Sequence, residues 1–225
     1  MKFLEGRRDI MLKCKNNYYY FKYSDLPLEK QQICYCEIKN FVKRVSWEYR
    51  GFWNWYDKLF SSKFQLEKKR EIIICQSDVQ IVGIAILKKD IDEQKICTLR
   101  VAKEFQHRGI GKELMALSLE WLQNDKPLIT VHKCKSHEFS ALFNYYGFIL
   151  EEKQVNYYHL FNTELVYNGS LPAKEFLLNA EEILDLENMV KWFVKSGKQN
   201  FNEFLDICIQ QWWVKEQLRK QIIKG

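Results

Sequence analysis

No stretch of this 225-residue chain is apolar for long enough to cross a membrane. The longest apolar run, Ile81 to Leu87, falls far short of the roughly 18 residues a spanning helix needs. The first residues mix Glu5 and Asp9 with basic neighbours and lack an apolar segment, so no secretory leader is expected. Seven cysteines, an odd number in scattered positions, argue against a disulfide framework. Cys34-x-Cys36 has no second Cys or His pair at zinc spacing, so no metal is expected. The thiols read as structural groups in a reducing compartment, which points to the cytoplasm. There is no internal repeat and no low-complexity tract. Two phosphate-binding motifs are also missing, the Gly-Lys-Ser/Thr loop and the three-glycine dinucleotide fingerprint.

What is present is 47% apolar content, enough for one good core and a small second unit. The net charge is +6, while residues 170–225 hold eight basic and eight acidic side chains, so the whole excess lies in the first 169. A modest basic face suits an anionic cofactor; nucleic acid is the less favoured reading. Periodicity predicts a first strand at Tyr18–Tyr23, a helix from Pro27 to about Val45 and a second over Phe52–Phe60. A hairpin of Ile72–Cys75 and Ile81–Leu87 follows, turning at Ser77-Asp78. Next come a strand over Lys95–Val101, a helix with Ile110, Leu114, Leu117 and Trp121 on one face, and a strand at Leu128–His132. Ser136 is a candidate N-cap for a helix ending at Gly147. Strands around Phe148–Gln154 and Tyr157–Tyr167 close a mixed α/β (α+β) domain over 1–168. Residues 169–225 read as a helical extension, broken at Ser196-Gly197 and carrying adjacent Trp212-Trp213.

The densest signal is Gln106-His107-Arg108-Gly109-Ile110-Gly111-Lys112, set between the Lys95–Val101 strand and the following helix. Glycines allow a tight turn and a close ligand approach. The helix start offers unpaired N–H groups and the positive end of its dipole, so it favours an anion. Arg108 and Lys112 add full charges. In the strand, a period of two would put Cys97, Leu99 and Val101 on one face.

The order and spacing of four pieces resemble the GNAT family of N-acetyltransferases from about Tyr18 to Tyr167. The pieces are Ile81-Val82-Gly83-Ile84, Leu99-x-Val101-x-x-Glu104, Gln106-x-x-Gly109-x-Gly111 and Leu142-Phe143-x-x-x-Gly147-Phe148. The resemblance implies a GNAT-like acyl-CoA fold and acetyl-CoA, or another short acyl-CoA, as co-substrate. It implies that Gln106, His107, Arg108, Gly109, Ile110, Gly111 and Lys112 clamp the phosphates. Backbone groups of Leu99, Arg100 and Val101 would bond the pantetheine arm and polarise the thioester carbonyl. The Lys95–Val101 strand would splay from Leu128–His132 to admit that arm.

The chain departs from the family where a leaving-group acid is usual, because Phe143 stands at the common Tyr position. Tyr146, three residues on, is the candidate acid, with a core aromatic as its competing reading; Tyr145 is expected to point away. His132 is the candidate base, and a plain surface or core histidine is its alternative. Cys97 and Cys134 are expected to be inert. Trp53, Trp55 and Tyr56 line the acceptor groove or pack on the sheet. The expected activity is acetyl transfer from acetyl-CoA to an amine, the acceptor being unspecified. Two alternatives stay open: a non-catalytic acyl-CoA-binding module, and acetylation of aminoacyl-tRNA. A homodimer through the C-terminal helices is one expectation for that segment.

Overall fold

The computed structural model describes residues 11–47, 49, 51–62, 65–78, 80–158, 162–172 and 191. The strands are β1 (Met11–Lys15), β2 (Tyr18–Lys22), β3 (Phe60–Ser62), β4 (Gln65–Leu66), β5 (Arg70–Gln76), β6 (Ile81–Lys89), β7 (Gln94–Val101), β8 (Leu128–His132), β9 (Leu150–Val155) and β10 (Thr163–Tyr167). The helices are α1 (Leu28–Phe41), α2 (Phe52–Lys58), α3 (Ile110–Leu122) and α4 (Ser136–Tyr146). Eight strands form one sheet in the order β1-β2-β5-β6-β7-β8-β10-β9. It is antiparallel from β1 through β7, and β8 joins β7 in parallel.

Two apolar cores lie on the two faces of this sheet, because the central strands alternate buried residues to both sides. Ile72, Ile74, Ile84 and Ile86 pack with Phe21, Cys34, Ile38 and Tyr56 under α1 and α2. Ile73, Cys75, Ala85 and Leu87 pack with Ile110, Leu114 and Met115 of α3 on the other face. Gly83 sets how closely α3 sits. A Cβ there would come within 2.9 Å of Leu114 Cδ1 and 3.1 Å of Ile110 Cγ2. The glycine therefore lets the first turns of α3 rest directly on β6.

Several sequence expectations hold, among them the β5–β6 hairpin, β8 over Leu128–His132, and α4 stopping at a left-handed Gly147. The differences have local causes. β1 precedes the expected first strand, joined to β2 by Asn16-Asn17 with φ of 52° and 63°, a primed hairpin turn. The small β3–β4 hairpin was not foreseen either. Ser136 is the first helical residue rather than the cap, because a 3-10 turn at Lys133–Lys135 leads into α4. Among the described residues of the expected Tyr157–Tyr167 strand, strand structure begins at Thr163; Asn156 is left-handed with φ 61° and its N–H bonds the Asn162 carbonyl. On α3 the buried stripe is wider than expected, with Glu113, Met115, Ser118, Leu119 and Leu122 buried besides Ile110 and Leu114, and Leu117 and Trp121 half-buried.

The chain divides into two compact units, one of residues 1–152 and 165–170, the other of 153–164 and 171–225. In the second, the Tyr157 hydroxyl donates to the Pro172 carbonyl at 3.1 Å. Most of the expected C-terminal helical extension, Trp212-Trp213 included, lies outside the described residues.

Candidate active site

The site begins at an irregularity in β7. Ile86 pairs with Thr98 and Leu87 with Ile96, so Cys97 has no partner on β6 and forms a bulge. The extra residue reverses the alternation. Leu99 and Val101 pack toward the α3 face, whereas Cys97 packs on the α1–α2 face. The expectation that Cys97 shares their face is thus corrected, and the bulge is the physical reason. Burial holds the Cys97 thiol above its usual range, so it is an inert group.

The bulge coincides with a parting of strands. β7 and β8 pair only at Lys95–Leu128 and Ile96–Ile129, although both strands run on. The β7–β8 ladder therefore ends at Ile96–Ile129, and Cys97–Val101 lie beyond it, as the expected splay requires. Arg100 projects to the other side of the strand, its guanidinium 5.6 Å above the Phe41 ring of α1.

β7 ends in the turn. After a 3-10 turn at Lys103–Phe105, Gln106 is extended and its amide donates to the Val101 carbonyl at 3.4 Å, closing the loop on the strand end. His107 and Gly109 are both left-handed, with φ of 59° and 83°. For His107 that costs about 1–2 kcal/mol. A Cβ on Gly109 would meet nothing within 4 Å, and one on Gly111 only Val101 at 3.7 Å, so the space over this turn is clear. The first helical bond runs from Glu113 N–H to the Gly109 carbonyl at 3.0 Å, which leaves the N–H groups of Ile110, Gly111 and Lys112 without an intrahelical acceptor. Ile110 is buried as the anchor of the helix; His107, Arg108 and Lys112 are exposed. Arg108 stands 5.1 Å over the Phe105 ring and donates to the Tyr18 hydroxyl at 3.4 Å. These residues fit the phosphates of an acyl-CoA: open backbone donors, two cations and room for a close approach.

Glu113, in the first turn of α3, was not singled out from sequence. It is buried and takes hydrogen bonds from Lys13 and Lys15 of β1. Burial raises its carboxyl pKa, but the two ammonium groups outweigh that and hold it below the usual range. A carboxylate at this position of a helix whose neighbours are apolar was the available signal.

The candidate catalytic residues are placed as follows. The Tyr146 hydroxyl donates to the Lys112 carbonyl at 3.0 Å, so it lies against the first turn of α3. Burial chiefly, then Tyr145 and Glu113, raise its pKa, and it stays protonated at neutral pH. Tyr145 is exposed, yet its ring carries the Lys112 ammonium at 3.6 Å; it faces the turn rather than away from it. Phe143 is core, packed on Phe139, Phe148 and Tyr167. His132 Nδ1 accepts the Cys134 N–H at 3.2 Å, so the neutral ring holds its proton on Nε2. Cys134 is exposed and lies in the 3-10 turn beyond β8, not on the strand with His132. Trp53 and Trp55 are half-buried at the margin of the α1–α2 core, and Tyr56 is wholly inside it with its hydroxyl on the Tyr35 carbonyl at 3.0 Å. Among the described residues no cluster of His, Cys, Asp and Glu is arranged to hold a metal, and no helix is long and apolar enough to cross a membrane.

A bulged strand parting from its parallel neighbour, followed by a glycine turn into a helix, makes a site suited to an anionic ligand. The family profile of the acetyltransferase (GNAT) domain matches residues 47–161, just over half of the chain, and the chain belongs to that family of N-acetyltransferases. Solved structures are similar to parts of the chain at low identity. The ribosomal-protein-S18-alanine N-acetyltransferase of Escherichia coli is 15% identical with a TM-score of 0.40, the match covering 49% of this chain and 77% of that one. A GNAT family acetyltransferase of Elizabethkingia anophelis with acetyl-CoA bound is 20% identical with a TM-score of 0.37, covering 44% and 74%. The IAA acetyltransferase of Bacillus cereus is 16% identical with a TM-score of 0.40, covering 44% and 77%. No curated protein sequence matches significantly.

Proposed function

We propose that this chain transfers an acetyl group from acetyl-CoA to an amine. The observation that carries the reading is the β7–β8 parting at the Cys97 bulge, which opens onto the Gln106–Lys112 turn. The turn's N–H groups and the Arg108 and Lys112 charges hold the phosphates. The backbone of Leu99, Arg100 and Val101, beyond the two β7 residues that pair with β8, takes the arm and stabilises the oxyanion that develops at the thioester carbonyl. In the transfer a C–N bond forms as the C–S bond breaks. The amine gives up a proton, and the departing thiolate takes one.

Tyr146 places a protonated hydroxyl against the turn and fills the role of donor, which requires it to leave the Lys112 carbonyl. His132 presents an N–H at Nε2, so a base role there requires its Nδ1 bond to the Cys134 N–H to yield first. Six described cysteines are free thiols, which suits a reducing cytoplasm. The acceptor is an amine approaching from the α1–α2 side, where Trp53 and Trp55 form the margin of the core.

Calorimetry checks the donor half. Wild-type protein binds acetyl-CoA with micromolar affinity, and the Gly109→Asp, Gly111→Asp variant does not, since two carboxylates occupy the cleared space. A wild-type chain that does not bind CoA overturns the proposal. Mass shifts across an amine, peptide and RNA panel then identify the acceptor.

A further inference from the structure

Glu113 is an unexpected residue beside an anion site. A carboxylate in a first turn suits the helix dipole. Here, however, it is 5% exposed and directly follows Lys112, the last residue of the phosphate-binding turn. Alone it would repel the phosphates that the turn attracts, and low exposure would strengthen that repulsion.

The β1–β2 hairpin answers this charge. Lys13 and Lys15 alternate with Leu12 and Cys14, so both point to the α3 face, and each donates to a different carboxylate oxygen of Glu113. Their side chains stay 45% and 56% exposed, so their charge also reaches solvent above the turn. Tyr18 pairs with Lys15 across the hairpin and accepts from Arg108 at 3.4 Å. The same hairpin end therefore supplies two cations and orients a third. Lys13, Lys15, Arg108 and Lys112 against Glu113 leave a local charge of +3; without the two lysines it would be +1.

We propose that Lys13 and Lys15 are positioning residues for the donor substrate: by neutralising Glu113 they turn the first turn of α3 into an anion site for the CoA phosphates. This rests on the reading of the turn as an acyl-CoA clamp. It assigns β1, a strand outside the matched family region, a part in donor binding.

The test is calorimetry of CoA with the full chain at two salt concentrations. The Lys13→Met, Lys15→Met variant is expected to bind CoA about tenfold more weakly, with a flatter salt dependence than wild type. Adding Glu113→Gln to it is expected to restore affinity to within about threefold of wild type, because the uncompensated charge is gone. Glu113→Gln alone is expected to bind at least as tightly as wild type. Unchanged affinity in the double variant, or a triple variant as weak as the double, overturns the proposal. If the double variant melts well below wild type, Lys15→Met with and without Glu113→Gln carries the same comparison, since Lys15 is the more exposed lysine. Failure of the wild type to bind CoA overturns the clamp reading itself, whereas loss without rescue overturns only the role of the lysines.

Discussion

Tyr146 has a structural bond and a proposed chemical role, and one substitution separates them. Tyr146→Phe removes the bond to the Lys112 carbonyl, worth about 0.5–1.5 kcal/mol, or a few degrees in melting temperature. If the hydroxyl also protonates the leaving thiolate, kcat falls by about a hundredfold or more and the alkaline limb of its pH profile disappears. A variant that melts slightly lower and turns over normally would show that the thiolate leaves unaided. Glu113 carries a second prediction. Its folded pKa is depressed, so its contribution to stability is present above the ordinary carboxyl value of about 4.3 and is lost as pH falls through the lower folded value. Wild type should therefore lose stability more steeply than Glu113→Gln as pH falls below about 5. Parallel melting curves for the two proteins would remove Glu113 from the account.

The strand-turn-helix segment depends on how α3 is seated. A Cβ on Gly83 would press on Leu114 and Ile110, both buried, so Gly83→Val forces the helix off β6. The expected loss is about 1–3 kcal/mol, with weaker CoA binding because the turn moves with its helix. A Gly83→Val protein that melts and binds like wild type would mean the helix seats elsewhere. Much of this segment was legible in sequence. β8, the α4 stop at Gly147 and the Gln106–Lys112 turn follow from apolar periods and glycine placement, which are local signals. β1 was missed because its alternation runs backwards, with Lys13 and Lys15 facing α3 while Leu12 and Cys14 are exposed, so no inward apolar face marks it; only Asn16-Asn17 marked the hairpin. The face of Cys97 was misjudged because a bulge is a property of two strands in register, and one strand's sequence does not carry it.

At the scale of the whole molecule, one sheet separates two cores, with α1 and α2 on one side and α3 on the other. Continuous burial along the middle of β5 and β6 follows from that arrangement and shows in the apolar runs Ile72–Cys75 and Ile81–Leu87. The positive charge excess of the first 169 residues finds a local expression at the α3 N-terminus, where Lys13, Lys15, Arg108 and Lys112 gather from distant parts of the chain. The sequence by itself determined the fold class and the glycine turn, since period and glycine spacing are written in consecutive residues. Only the tertiary structure decided that Cys97 forms a bulge where β7 leaves β8, that Phe143 is packing, and that a buried Glu113 is answered by β1. Each of these depends on contacts between segments far apart in the chain, which no local pattern encodes.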